Sequence, residues 1–170
     1  KSHESQTVDR AALIREKEPR LHVYGGLVCN YFTGGLSPIA VDTAIRLGAK
    51  IIWMPTFSSD EHQSHFAKKK TKFFNSKRPL MHPEKGLKIW DERKKILPEV
   101  FDILDLIAEA NIILATGHLS PDEVMALVDV AKERKVEKIL IQHSDLGIAR
   151  VPYELEQKLV KKGCILEKCY

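Results

Sequence analysis

The hydrophobic positions fall into short apolar blocks that alternate with longer stretches of helical period. Leu21 to Val28 is one block, ending at Cys29-Asn30, and it reads as a strand. A Gly-Gly turn follows, and Ser37-Pro38 opens a helix with Ile39, Ala40, Ala44, Ile45 and Leu47 that stops at Gly48. Lys50 to Met54 is the next strand, closed by Pro55-Thr56. A helix between Pro98 and Ala110 carries Val100, Ile103, Leu104 and Ile107, and precedes a β-branched strand from Asn111 to Ala115. Ser120-Pro121-Asp122-Glu123 has the form of a capping box with proline at the first helical position. Its helix puts Val124, Leu127, Val128 and Ala131 on one stripe. Lys138 to Gln142 reads as a strand, Pro152 to Lys162 as a helix with Leu155, Leu159 and Val160 inward, and Cys164 to Glu167 as another strand. A shorter helix from about Thr7 to Lys17 precedes all of these, and Lys1-Ser2-His3 resembles the end of a sixth strand.

Strands that are apolar throughout, each followed by a helix, predict an α/β fold with a parallel sheet covered on its faces. Such a sheet is either doubly wound or a (β/α)8 barrel of the TIM type. No Gly-x-Gly-x-x-Gly follows the first strand, which disfavours the dinucleotide-binding version. The chain starts at one strand end and stops inside another strand, so residues 1–170 are expected to be a single, incomplete barrel domain.

The stretch from Phe57 to Leu97 breaks the rhythm, as an insertion between a strand and its helix. It holds His62, His65, Lys68-Lys69-Lys70, Lys72, Lys77-Arg78 and His82 among Phe66, Phe73, Phe74 and Trp90. A solvated basic loop is the expected form, with its histidines at the surface.

Composition narrows the class. The 170 residues are 44% hydrophobic and 29% charged, enough for a packed core and against disorder. No apolar run approaches the roughly 18 residues of a membrane span. Three cysteines without paired-motif spacing point to a reducing compartment, the cytoplasm. Cys164 reads as a core residue, and none of the three has a histidine-rich context. The formal charge of +4 is too small to argue for a nucleic-acid partner. Assembly into a homo-oligomer stays open.

In either parallel architecture ligands gather beyond the carboxyl ends of the strands. The polar residues there are His3, Asn30, Thr56, Thr116, His118, His143, Asp145 and Glu167. His118 and His143 end consecutive strands, and His3 ends a third. Neutral imidazoles converging in this way suit a divalent metal, zinc first, so these three are the candidate metal ligands. Asn30, Thr56 and Thr116 are the candidate contacts for a small-molecule substrate. Asp145 stands too near His143 in sequence to be assigned a catalytic role, and is expected to orient a ring or cap a turn.

Four stretches together resemble an amidohydrolase-related family of TIM-barrel metal hydrolases: Thr-Gly-His-Leu-Ser-Pro (116–121), Ile-Gln-His (141–143), Leu-Gly-Ala-Lys-Ile-Ile-Trp-Met-Pro-Thr (47–56) and Val-Tyr-Gly-Gly-Leu-Val (23–28). In the wider amidohydrolase superfamily the resemblance implies single histidine ligands on the fifth and sixth strands. Counting His3 as the end of the second strand puts His118 and His143 at those places. The first and eighth strands are then missing from this chain. The departures are a missing His-x-His pair, no eighth-strand aspartate, and Thr56 where a metal-bridging lysine would stand.

The leading expectation is therefore a metal-dependent hydrolase, in which metal-activated water attacks an amide, ester or related bond, inactive if these strands are all it has. The alternative is a non-catalytic, barrel-like binding protein that holds an acidic partner on the basic insertion. No Gly-x-Ser-x-Gly elbow or phosphate-binding loop supports a serine hydrolase or a nucleotide triphosphatase.

Overall fold

A computed structural model describes residues 3–69 and 85–169. Its elements run α1 (Val8–Lys17), β1 (Gly26–Val28), α2 (Pro38–Arg46), β2 (Ile51–Trp53), α3 (Asp60–Lys69), α4 (Pro98–Glu109), β3 (Ile113–Ala115), α5 (Pro121–Glu133), β4 (Ile139–Ile141), α6 (Tyr153–Lys161) and β5 (Ile165–Leu166). The five strands form one parallel sheet in chain order, β1-β2-β3-β4-β5. β1 and β5 do not pair, so the sheet is not closed.

The register separates the two faces. Leu27, Ile52, Leu114 and Ile139 lie in one row, and all are buried. With Cys29, Met54 and Ile141 they share a core with Val41 of α2, Ile103, Leu104 and Ile107 of α4, Leu127 and Val128 of α5 and Leu159 of α6. Burial of each such aliphatic side chain contributes roughly 1.5–3 kcal/mol. The other face carries Val28, Trp53, Ala115, Leu140 and Ile165 in register. Among the described residues none of these joins that core, and Ile165 is exposed. Right-handed crossovers that never reverse direction put their helices on one side of a sheet, which accounts for the asymmetry.

Helix starts follow their caps. Ser37 accepts from the Ala40 amide, and Ser120 and Glu123 form the reciprocal capping box of α5. Glu123 also accepts from the Ile89 amide at 3.1 Å, tying the segment before α4 to α5.

Several expectations need correction. The first strand does not begin at Leu21: it is confined to Gly26–Val28. The backbone of α1 presses so close that a Cβ on Gly25 would lie 2.4 Å from Val8 Cα, while Leu21 and Tyr24 are exposed. His3 is not in a strand but in a bend, and Lys1 and Ser2 lie outside the described residues. The 57–97 stretch is not simply a loop, since it contains α3 and a buried Ile89. The expectations for Lys70, Lys72, Lys77, Arg78, His82, Phe73 and Phe74 fall outside the described residues. Val160 faces solvent, and Glu156 takes the inner position on α6, paired with Lys168.

Candidate functional site

The carboxyl ends of the strands gather a cluster of buried polar residues. Asn30, just past β1, is fully buried and ties the loop after β2 in place. Its Oδ1 accepts from the amides of Thr56 at 2.9 Å and Ser58 at 3.1 Å. Its Nδ2 donates to Thr56 Oγ1 at 2.9 Å and to the His3 carbonyl at 3.1 Å. Thr56 is buried as well, and its hydroxyl lies 2.7 Å from Nδ1 of His3. Thr116, past β3, accepts from the Gln142 amide at 3.1 Å and so links the ends of β3 and β4. All three candidate substrate contacts are thus buried, with their polar groups joining neighbouring loops.

Gly117 then turns the chain toward His118. Its φ is +63°, and a Cβ there would meet the Met54 and Pro55 carbonyl oxygens at 2.3 and 2.5 Å. Only glycine fits so close a crossing. The His118 amide donates to that same Pro55 oxygen at 2.9 Å, and the Ser59 hydroxyl donates to the His118 carbonyl at 2.8 Å. His118 itself is buried.

His118 is the centre of an aromatic and imidazole cluster. Its ring centroid is 5.7 Å from that of His143 and 6.2 Å from that of His3. The other two candidate metal ligands therefore both lie near His118. A fourth histidine joins them, which corrects the expectation that it lies on the surface. His62, on the first turn of α3, is only 4% exposed. It stacks on His118 with centroids 5.0 Å apart, and the two Nδ1 atoms lie 2.8 Å apart. One ring must therefore carry its proton on Nδ1 and the other must not. Burial, then the charges of His3 and His65, push His62 down to about 4, so it is neutral at neutral pH. Phe57 stacks on His3 at 3.9 Å, and Phe66 lies 4.6 Å from His62, giving the cluster apolar walls.

The β4–β5 side adds donors of a different kind. His143 has a φ of +52°, unusual for a side chain of its size. Its Nδ1 lies 2.8 Å from Cys169 Sγ and 3.3 Å from Glu167 Oε2. Nδ1 faces the thiol, so that buried Oε2 stands beside the ring without a hydrogen bond. Nitrogen, oxygen and sulfur donors of the three residues lie within 4.8 Å of one another. Asp145 accepts from the Cys169 amide at 3.2 Å.

The chain belongs to the family of unknown function DUF6282, whose profile matches residues 1–167. No curated protein and no solved structure matches it. From the sequence His62 reads first as a surface residue and Cys169 has no histidine near it; the fold supplies both contacts. His62 is joined to His118 by tertiary packing alone, whereas Glu167-x-Cys169 had the i, i+2 spacing that puts two residues on one side of extended chain.

Proposed function

We propose that the protein is a metal-dependent hydrolase on a (β/α)8-type scaffold, acting on a small molecule that enters at the carboxyl ends of the strands. The strand order supports the scaffold. A doubly wound sheet reverses its order at a switch point, and β1 to β5 run without reversal. In a barrel the row of Trp53, Leu140 and Ile165 would face the interior.

The observation that carries the function is the pairing of His118 and His143 on neighbouring strand ends. Two imidazoles on one tetrahedral zinc ion stand about 5 Å apart, centre to centre, for Zn–N bonds of about 2.0–2.1 Å. The observed 5.7 Å is close to that spacing. The donor set also fits a divalent ion, with a buried carboxylate oxygen of Glu167 lacking a hydrogen bond beside His143. A bound ion would act as a Lewis acid and lower the pKa of its water to about 7. The residues of this chain position and shield that chemistry. His62 fixes the ring plane and tautomer of His118, as partners of metal-bound histidines do. Asn30 and Thr56 hold His3 and the loop after β2, and Phe57 and Phe66 keep the His62 side apolar.

Metal analysis of protein purified without a histidine tag, beside turnover of ester and amide substrates, tests this reading. Near-stoichiometric metal, with occupancy and turnover both lowered in His118→Ala and His143→Ala, supports it. Trace metal, or occupancy unchanged in both variants, contradicts it.

A further inference from the structure

We infer that Nδ1 of His143, the Glu167 carboxylate and the Cys169 thiolate form a cation site at the ends of β4 and β5 that takes a thiophilic divalent ion, zinc rather than magnesium or manganese. The inference rests on the metal-dependent reading and deepens it, adding ligands from the segment after β5 and a class of ion.

The ends of two paired strands set the geometry. The Glu167 amide donates to the Ile141 carbonyl at 2.8 Å, and the Ser144 amide to the Glu167 carbonyl at 3.2 Å. The ladder thus continues past both strands and holds Glu167 beside His143. The left-handed backbone of His143 lies within this continued ladder, where its ring reaches both donors just past β5. Asp145 anchors the Cys169 amide, so the thiol is fixed from its own backbone as well as by the imidazole.

Distances and donor types agree with a cation. Tetrahedral zinc would hold nitrogen and oxygen donors about 3.3 Å apart, and nitrogen and sulfur about 3.5 Å apart. Nδ1 to Oε2 is 3.3 Å already; Nδ1 to Sγ is 2.8 Å and opens when a proton between them gives way to an ion. The Glu167 Oε2 is buried with the His143 ring beside it at 3.3 Å and makes no hydrogen bond, so an ion there would give the carboxylate a counter-charge. Sulfur decides the class, because thiolate favours zinc and its softer relatives over ions that prefer oxygen. On binding, the Sγ–H proton passes to solvent and a metal–sulfur bond forms. The Cys169 end is solvent-exposed, which leaves room for a water or substrate atom.

Cobalt(II) titration of the whole protein tests this, because a bound thiolate gives a charge-transfer band in the near-ultraviolet that imidazole and carboxylate ligands do not. The expected result is a saturable band that zinc displaces and excess magnesium does not. Cys169→Ser abolishes the band and weakens cobalt binding by at least about 100-fold, Glu167→Gln weakens it about 10–100-fold, and Cys164→Ala keeps it. Circular dichroism checks that the variants remain folded. Cobalt that binds at the histidines without the band, or a band that survives in Cys169→Ser, overturns the inference while leaving the hydrolase reading standing. No cobalt binding at all overturns both.

Discussion

His62 and His118 meet Nδ1 to Nδ1 at 2.8 Å although 56 positions separate them in the chain. The contact makes a residue of α3 the support of a candidate ligand on the β3 end. His62→Ala should cost about 1–3 kcal/mol, because it removes a buried hydrogen bond and the ring stacked on His118. It should also weaken metal binding about 10–100-fold, the usual effect of losing such a support. Urea denaturation and chelator competition measure the two effects separately. Full affinity in the variant would mean that His118 is held by other contacts.

Gly117→Ala should be among the most damaging small substitutions. The new methyl would lie 2.3 Å from the Met54 oxygen at a φ of +63°, so both the turn and β2 must move. We expect a loss of about 3 kcal/mol or more, with metal occupancy reduced in whatever remains folded. Thermal unfolding checks the first effect and metal analysis the second.

Asn30→Ala should behave as a structural lesion that also disturbs the site. Four hydrogen bonds leave with the amide, exposing the buried amides of Thr56 and Ser58 to an apolar gap. The expected cost is about 2–4 kcal/mol, read from the urea midpoint. A loss under about 0.5 kcal/mol would show that the loop after β2 holds itself.

Cys29 and Cys169 should differ sharply toward thiol reagents. Burial pushes the Cys29 thiol up to about 12 from 9.0, whereas Cys169 is exposed. At pH 8 alkylation should label Cys169 quickly and Cys29 only through unfolding. The folded state keeps the Cys29 proton that the unfolded state releases, so stability is insensitive to this thiol below pH 9. Above that it falls by about 1.4 kcal/mol per pH unit until pH nears 12. Mass spectrometry of labelled peptides, and denaturation from pH 8 to 10, check both.

The strand–helix alternation was legible because each strand is an apolar block and the Ser-Pro starts at 37–38 and 120–121 fix two helices. The overlong first strand shows the limit. Leu21 to Tyr24 looks like strand, yet Gly25 and Gly26 accept close backbone neighbours, and pairing begins only at Gly26. The positions of His118 and His143 were readable because a parallel sheet delivers strand ends to one side. Phe66, one turn on in α3, and Phe57 are local neighbours of His62, but His118, 56 positions away, reaches it only through the fold. Nor does the local sequence mark Cys169: His143 is a sequence neighbour of neither Glu167 nor Cys169, and the β4–β5 pairing joins them.

The central claim is that His118 and His143 hold the same ion. Anomalous diffraction at the zinc edge, from crystals of zinc-loaded protein, measures this directly. The account predicts a peak about 2.0–2.1 Å from a ring nitrogen of each histidine. A peak bound to neither ring, or to one with the other turned away, would contradict it.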